Sequence, residues 1–273
     1  MRRLTLPGTG INVSRLSFGT ARLHHLPTSR RRQDLLAAAF DHGFTHFDTA
    51  PYYGFGIAEQ ELGRFLKGRR GGVTVATKVG LYPPGGLDLS TVSVWTRKVA
   101  GKVLPALSRP VVDWSIAAAA TSLDRSLRRF GIDRIDLLLL HEPVSGTMQS
   151  EVILEWLKRE QDNGRIRAWG LAGQARCMDT WLSTDHPLAM VLQVRDSLDR
   201  KEADLVRSRG RDLQITYGYL SASATLPGAP RATEILEMAL RRNVTGSILV
   251  SSRQLAHVGE LAAVGEADGG NAG

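Results

Sequence analysis

Cysteine is almost missing: Cys177 stands alone among 273 residues, so no disulfide can form within the chain. That usage suits a reducing compartment, and a cytoplasmic location is expected. Residues 1–8, MRRLTLPG, lack the apolar stretch of roughly 7–15 residues that marks a secretory signal. Nor does any run approach the roughly 18 apolar residues needed to cross a bilayer, since the greasy stretch 135–140 is short and holds Asp136. No membrane partner is expected. The net charge of +8 raises the question of nucleic acid, but the basic clusters at residues 30–32, 67–70, 128–129 and 241–242 are scattered near expected helix ends. Cations suit helix C-termini. No aromatic residues interleave with them and no zinc or helix-turn-helix spacing is present, so nucleic acid is not an expected partner. The charge is compatible with long-range attraction of a phosphate-bearing cofactor or an anionic substrate.

What the chain does have is rhythm. A turn at Pro7-Gly8-Thr9-Gly10 predicts an N-terminal β-hairpin over residues 4–13. Eight β-type runs then follow at residues 15–19, 45–48, 73–78, 135–141, 168–172, 191–194, 214–217 and 247–250. Between them lie helical patterns such as Leu35, Leu36, Ala39, Phe40 and Ile116, Ala120, Leu123, Leu127. Alternating strands and helices imply a parallel sheet, and eight such units at this length match a (β/α)8 TIM barrel in the α/β class. The rival, an open doubly wound sheet, would usually announce a glycine-rich phosphate loop after its first strand, and here that strand ends Phe18-Gly19-Thr20-Ala21. Residues 1–266 are expected to form one barrel domain and the small, polar, glycine-rich residues 267–273 a disordered tail. Residues 81–113 exceed an ordinary βα loop; they are expected either to cover the barrel mouth or to form a structural insertion with a helix near residues 94–106.

In a parallel barrel, chemistry gathers where strands end. Strand two ends in Asp48 and leads to Tyr53, strand three ends in Lys78, and strand four ends in His141. Singly, each has a bland explanation: a turn cap, a packed ring, a surface cation, a satisfied strand-end histidine. Together they form a proton-transfer device. A phenol with a pKa near about 10 needs a nearby cation to favour its phenolate. Lys78 supplies the cation, and Asp48 on the neighbouring strand keeps that ammonium charged. His141 can donate to a substrate carbonyl oxygen while Tyr53 delivers a proton.

The strings His46-Phe47-Asp48-Thr49-Ala50, Tyr53-Gly54, Glu59, Leu62-Gly63, Thr77-Lys78 and Leu140-His141 resemble the aldo-keto reductase family in order and spacing. The resemblance continues through Asp133-Arg134-Ile135-Asp136-Leu137, Asn163-Gly164-Arg165-Ile166-Arg167-Ala168-Trp169-Gly170 and Gln193, nearly the whole chain. It implies a TIM barrel that binds NADPH, less often NADH, in extended form across its C-terminal face. It also implies hydride transfer to an aldehyde or ketone, with Asp48, Tyr53, Lys78 and His141 as the catalytic tetrad. No glycine-rich fingerprint is expected of such a protein.

By the same resemblance, the cofactor contacts are Gly19, Thr20, Asp48, Gln193, Tyr217, Gly218, Leu220, Ser251, Ser252 and Arg253. The last three precede an apolar helix whose N-terminus can receive a phosphate, with Arg253 placed to pair with it; a plain serine cap is the alternative. Two departures stand out. Ala172-Gly173 replace the Ser-Asn that usually grips the nicotinamide amide, and His257 and Leu261 fall where a basic residue and an Asn or Gln usually meet the adenosine. The resemblance implies a small-molecule carbonyl substrate and a monomer or loose dimer. Two other readings stay open: a barrel serving as a regulatory or partner-binding subunit, and a non-redox barrel enzyme such as a sugar lyase or dehydratase.

Overall fold

The computed structural model describes residues 1–84, 110–222, 228 and 230–270. The chain opens with a hairpin of β1 (Arg3–Leu6) and β2 (Ile11–Ser14), then runs through β3 (Leu16–Gly19), β4 (His46–Asp48) and β5 (Thr74–Val79). A short antiparallel ribbon of β6 (Leu81–Tyr82) and β7 (Val111–Val112) follows. The barrel resumes with β8 (Ile135–His141), β9 (Ile166–Gly173), β10 (Val191–Arg195), β11 (Ile215–Tyr217) and β12 (Ser247–Val250). The eight strands β3, β4, β5, β8, β9, β10, β11 and β12 pair in that circular order, all parallel, with β12 returning to β3 through Ile248 opposite Leu16. The fold is the expected (β/α)8 barrel with an N-terminal hairpin, and each strand boundary lies within two residues of its expected place.

Period-two alternation divides the strands into two cores. On β5 and β8, Ala76, Leu137 and Leu139 point into the barrel, where they meet Ala168, Val191 and Ile215. The hairpin residues Leu6, Ile11 and Val13 join that cluster and plug the N-terminal end. The intervening residues, Val75, Val79, Leu138 and Leu140, face outward into the helix layer. That layer includes α1 (Ser29–Asp41), α2 (Ile57–Leu66), α3 (Ile116–Phe130), α4 (Ser150–Asp162), α5 (Ala175–Ser183), α6 (Asp204–Ser208), α7 (Tyr219–Ala222), α8 (Ala232–Arg242) and α9 (Leu255–Gly270). Side-chain caps start α1 and α3: Thr28 accepts from the Arg31 amide and Ser115 from the Ala118 amide.

Two expectations need comment. The tail expected to be disordered from Ala267 is helical as far as Gly270, because α9 continues and Asp268 accepts from the buried Arg15 guanidinium at 2.7 Å. Only residues 271–273 lie outside the described chain at this end. The reading of residues 81–113 as a mouth cover, and the helix near 94–106, fall largely outside the described residues; only the paired root, β6 with β7, is seen. Among the described residues, no helix is long and apolar enough to cross a membrane.

Candidate active site

The inward parity that fills the barrel with Ala76 and Leu139 continues to the strand ends, where it turns Lys78 and His141 toward the mouth. Asp48 and His141 end β4 and β8 and Lys78 stands one residue before the end of β5, three consecutive strands of the barrel, so the closure itself brings them together. They line a cavity of about 350 Å³ with Tyr53, Gln193 and Tyr217. A wider groove of about 940 Å³ lies at the opposite end of the barrel, but Arg70 and Arg167 there are both paired with Asp136.

Lys78 is 2% exposed, and its ammonium donates to both Asp48 oxygens at 2.6 and 2.7 Å and to the Thr49 carbonyl at 2.9 Å. All three of its protons therefore have acceptors. Burial lowers the Lys78 pKa, and Asp48 acts against that shift. Thr20, fully buried, braces the Asp48 carbonyl through its amide at 2.9 Å and its hydroxyl at 3.0 Å.

Tyr53 reaches the mouth through an uncommon backbone. Gly54, Phe55 and Gly56 follow it with φ of 58°, 56° and 90°, the left-handed region. A Cβ on Gly54 would stand 2.4 Å from the Cβ of His24, so this turn admits no side chain there. The Tyr53 ring lies 5.0 Å from the Lys78 ammonium and packs edge-on to His141 at 5.9 Å. The expected drop in the Tyr53 pKa is not what the surroundings produce. Burial, then Asp48 and Glu142, push it well above its ordinary value, because Asp48 already balances the charge of Lys78. Tyr53 is thus held as a protonated phenol.

Burial, and then Lys78, also hold the His141 imidazole neutral, its pKa well below the ordinary value. Among the described residues its buried Nδ1 has no partner, and neither has the buried Oε1 of Gln193. Gln193 sits opposite Ala172 in the β9–β10 ladder and lines the same cavity. Partnerless buried polar atoms are uncommon in native proteins. Here they offer an imidazole nitrogen to a carbonyl and an amide oxygen to an N–H group, and so fit a nicotinamide carboxamide beside a small carbonyl compound.

Of the other expected cofactor residues, Gly19, Gly218, Leu220 and Ser251 line the cavity and Thr20, Ser252 and Arg253 do not. Ser252 bonds to Gln254 across a turn just before α9, and Arg253 is exposed beside it. Leu261 is 4% exposed and belongs to the outer core, which explains an apolar residue there; His257 is exposed.

Sequence reasoning missed Glu142. It lines the cavity directly after His141, with a backbone φ of 51°, and its Oε1 accepts from the Tyr217 hydroxyl at 3.3 Å. A Cβ on Gly173 would stand 2.7 Å from Glu142 Oε2, so the carboxyl occupies the space that a side chain at position 173 would need. A polar residue adjoining a strand-end histidine was the available signal. Removal of water from its carboxyl raises the Glu142 pKa, while Tyr217 and the Gln174 backbone act against the shift. Among the described residues no group of three or more His, Cys, Asp or Glu is placed to hold a metal.

A closed parallel barrel with this strand-end cluster places the molecule among the TIM-barrel proteins that concentrate titratable side chains at the C-terminal mouth. Residues 15–198 match the sequence profile of the Aldo/keto reductase family, and the chain belongs to that family. It is 30% identical over 257 residues to D-threo-aldose 1-dehydrogenase of a Pseudomonas species, covering 89% of this chain and 66% of that protein. It is 29% identical to the NADH-specific methylglyoxal reductase of Escherichia coli, covering 77% of this chain and 59% of that one. The chain thus spans two thirds or less of the length of these relatives. The structure of an aldo-keto reductase from Klebsiella pneumoniae in complex with NADPH superposes with a TM-score of 0.71 at 22% identity, covering 97% of this chain and 90% of that one.

Proposed function

We propose that the chain is an NAD(P)H-dependent reductase of small aldehydes or ketones, acting in the cytoplasm. The observation that carries this reading is the buried Lys78–Asp48 pair beneath Tyr53 and a neutral, partnerless His141 in one cavity. NADPH or NADH, when bound, supplies the hydride for the carbonyl carbon. Gln193 offers its free Oε1 to the carboxamide, and Tyr217 and Gly218 form the adjoining wall.

His141, neutral, donates an N–H to the substrate oxygen and fixes the carbonyl in place. Tyr53 is a weak acid toward a neutral carbonyl, but the oxygen becomes strongly basic as negative charge builds on it. The proton then passes from the Tyr53 hydroxyl to that oxygen. Lys78 stabilises the phenolate left behind, and Asp48 keeps Lys78 charged in a site where an isolated ammonium would shed its proton. The named relatives are dehydrogenases and reductases, which supports the reading without fixing a substrate.

The test is calorimetric titration with NADPH and NADH, followed by turnover of Tyr53→Phe on a panel of carbonyl compounds. Binding of at least one dinucleotide is expected, with kcat lowered about 10²- to 10⁴-fold in Tyr53→Phe and its cofactor affinity retained. Failure to bind either dinucleotide defeats the reading.

A further inference from the structure

The proton relay and the carboxamide contact leave one carboxylate in the cavity without a task. Glu142 is an exposed residue whose carboxyl end is drawn inward, against Gly173 on β9 and under the Tyr217 hydroxyl at 3.3 Å. Its backbone amide is anchored to the Ala172 carbonyl at 2.7 Å, and the Gln174 backbone also bonds its carboxyl. No ion pair reaches it among the described residues; Lys78 and Arg195 act on it only through space.

Of the charges near it, Arg195 at the end of β10 offsets the carboxyl through space without an ion pair. Lys78 is neutralised by Asp48, His141 is uncharged, and Ala172 and Gly173 carry no polar side chain. Arg22, the remaining charged residue lining the cavity, follows β3, three strands away around the barrel. A group placed between Tyr53 and Tyr217 therefore meets the Glu142 carboxyl on the β8 side.

Hydride passes only between atoms in contact. If the carbonyl is held by Tyr53 and His141, the nicotinamide ring shares their cavity of about 350 Å³, and Glu142 is part of its wall. That ring is cationic when oxidised and neutral when reduced. Only an interaction that differs between two states can shift the balance between them.

Resting on the reductase reading, we propose that Glu142 sets the redox preference of the bound cofactor, favouring oxidised over reduced nicotinamide and so tilting the bound equilibrium toward carbonyl reduction. The residue replaces no member of the tetrad. It biases the direction in which the tetrad is used.

Calorimetry on the whole chain tests this, with NAD+, NADH, NADP+ and NADPH each titrated into wild type, Glu142→Gln and Glu142→Asn. Glutamine keeps the shape and can still accept from Tyr217. Asparagine is neutral and tolerates the left-handed backbone at this position, so at least one variant is expected to fold. The ratio of oxidised to reduced Kd should rise about fivefold in both variants, with the loss falling on the oxidised form. An unchanged ratio, or equal weakening of both forms, overturns the proposal while leaving the reductase reading intact. A wild-type chain that binds none of the four overturns the reductase reading and this proposal with it.

Discussion

Strand β8 carries a carboxylate near each end. Asp136, near its start, is 1% exposed; it accepts from the Val75 amide at 2.8 Å and is paired with Arg70 at 2.8 Å and Arg167 at 3.1 Å. Glu142, one residue past its end, is exposed and holds only the Tyr217 hydroxyl and the Gln174 backbone. One charge is saturated by the protein and ties three strands and the hairpin end together, for Arg167 also reaches the Gly10 carbonyl. The other is left for whatever enters the mouth. Two histidines differ in where a partnerless nitrogen lies: among the described residues His46 at the base bonds Thr74 at 2.9 Å through Nδ1 and leaves Nε2 unpaired within the fold, while His141, with Nδ1 unpaired, lines the mouth cavity.

Asp136→Ala is the strongest way to break this division. It strands two guanidinium groups and a strand amide, and should cost about 3–5 kcal/mol in urea unfolding. Turnover of the folded enzyme should stay within about twofold, because the site lies at the other end of the strand. A fall in turnover at conditions where the variant remains folded would join the two ends that the structure separates.

His46 provides the next largest effect. Burial lowers its pKa to about 4 from the ordinary 6.5, so the folded state resists its protonation. Its contribution is complete above pH 6.5 and is lost as pH falls toward 4, a span worth about 3 kcal/mol. Urea midpoints measured at pH 7 and pH 4.5 should differ less in His46→Asn than in wild type. Equal pH sensitivity in the two proteins would assign the acid lability to other groups.

The smallest effect should come from the mouth. Gln193→Leu removes a buried oxygen with no protein partner, so thermal stability should be unchanged or raised by up to about 1 kcal/mol. Dinucleotide affinity measured by calorimetry should nonetheless fall about threefold to tenfold. A clear loss of stability without loss of affinity would turn Gln193 into a structural residue.

The barrel was legible because eight β-type runs alternate with helical patterns along the chain. The inward parity of Ala76 and Leu139 runs straight on to Lys78 and His141, and three adjacent strand ends then meet without any long-range guess. What could not be read were relations across the mouth. Nothing local says that Glu142 turns back over Gly173, since that depends on a positive φ and on the closeness of β8 and β9. The pairing of Asp48 with Lys78 was expected, but spacing could not show that burial would leave the Tyr53 pKa raised. At the C-terminus, composition favoured disorder from Ala267, but Arg15 reaches across the fold to hold Asp268 in the helix. Thr20 was named a cofactor contact by resemblance; nothing in that reading pointed to its hydroxyl donating to the Asp48 carbonyl across β3 and β4.

The seam between β3 and β12 has a consequence for how the chain is made. Phe18 pairs in register with Val250, so the ring of strands stays open until the eighth has been synthesised. At roughly 5–20 residues per second, that interval lasts on the order of tens of seconds. Throughout it the nascent sheet presents two unpaired edges, Leu16 and Phe18 on one side and the latest strand, finally β11, on the other. Ribosome-bound chains stopped short of residue 247 should accordingly be protease-sensitive and prone to edge-to-edge association, and only the last strand removes both edges at once.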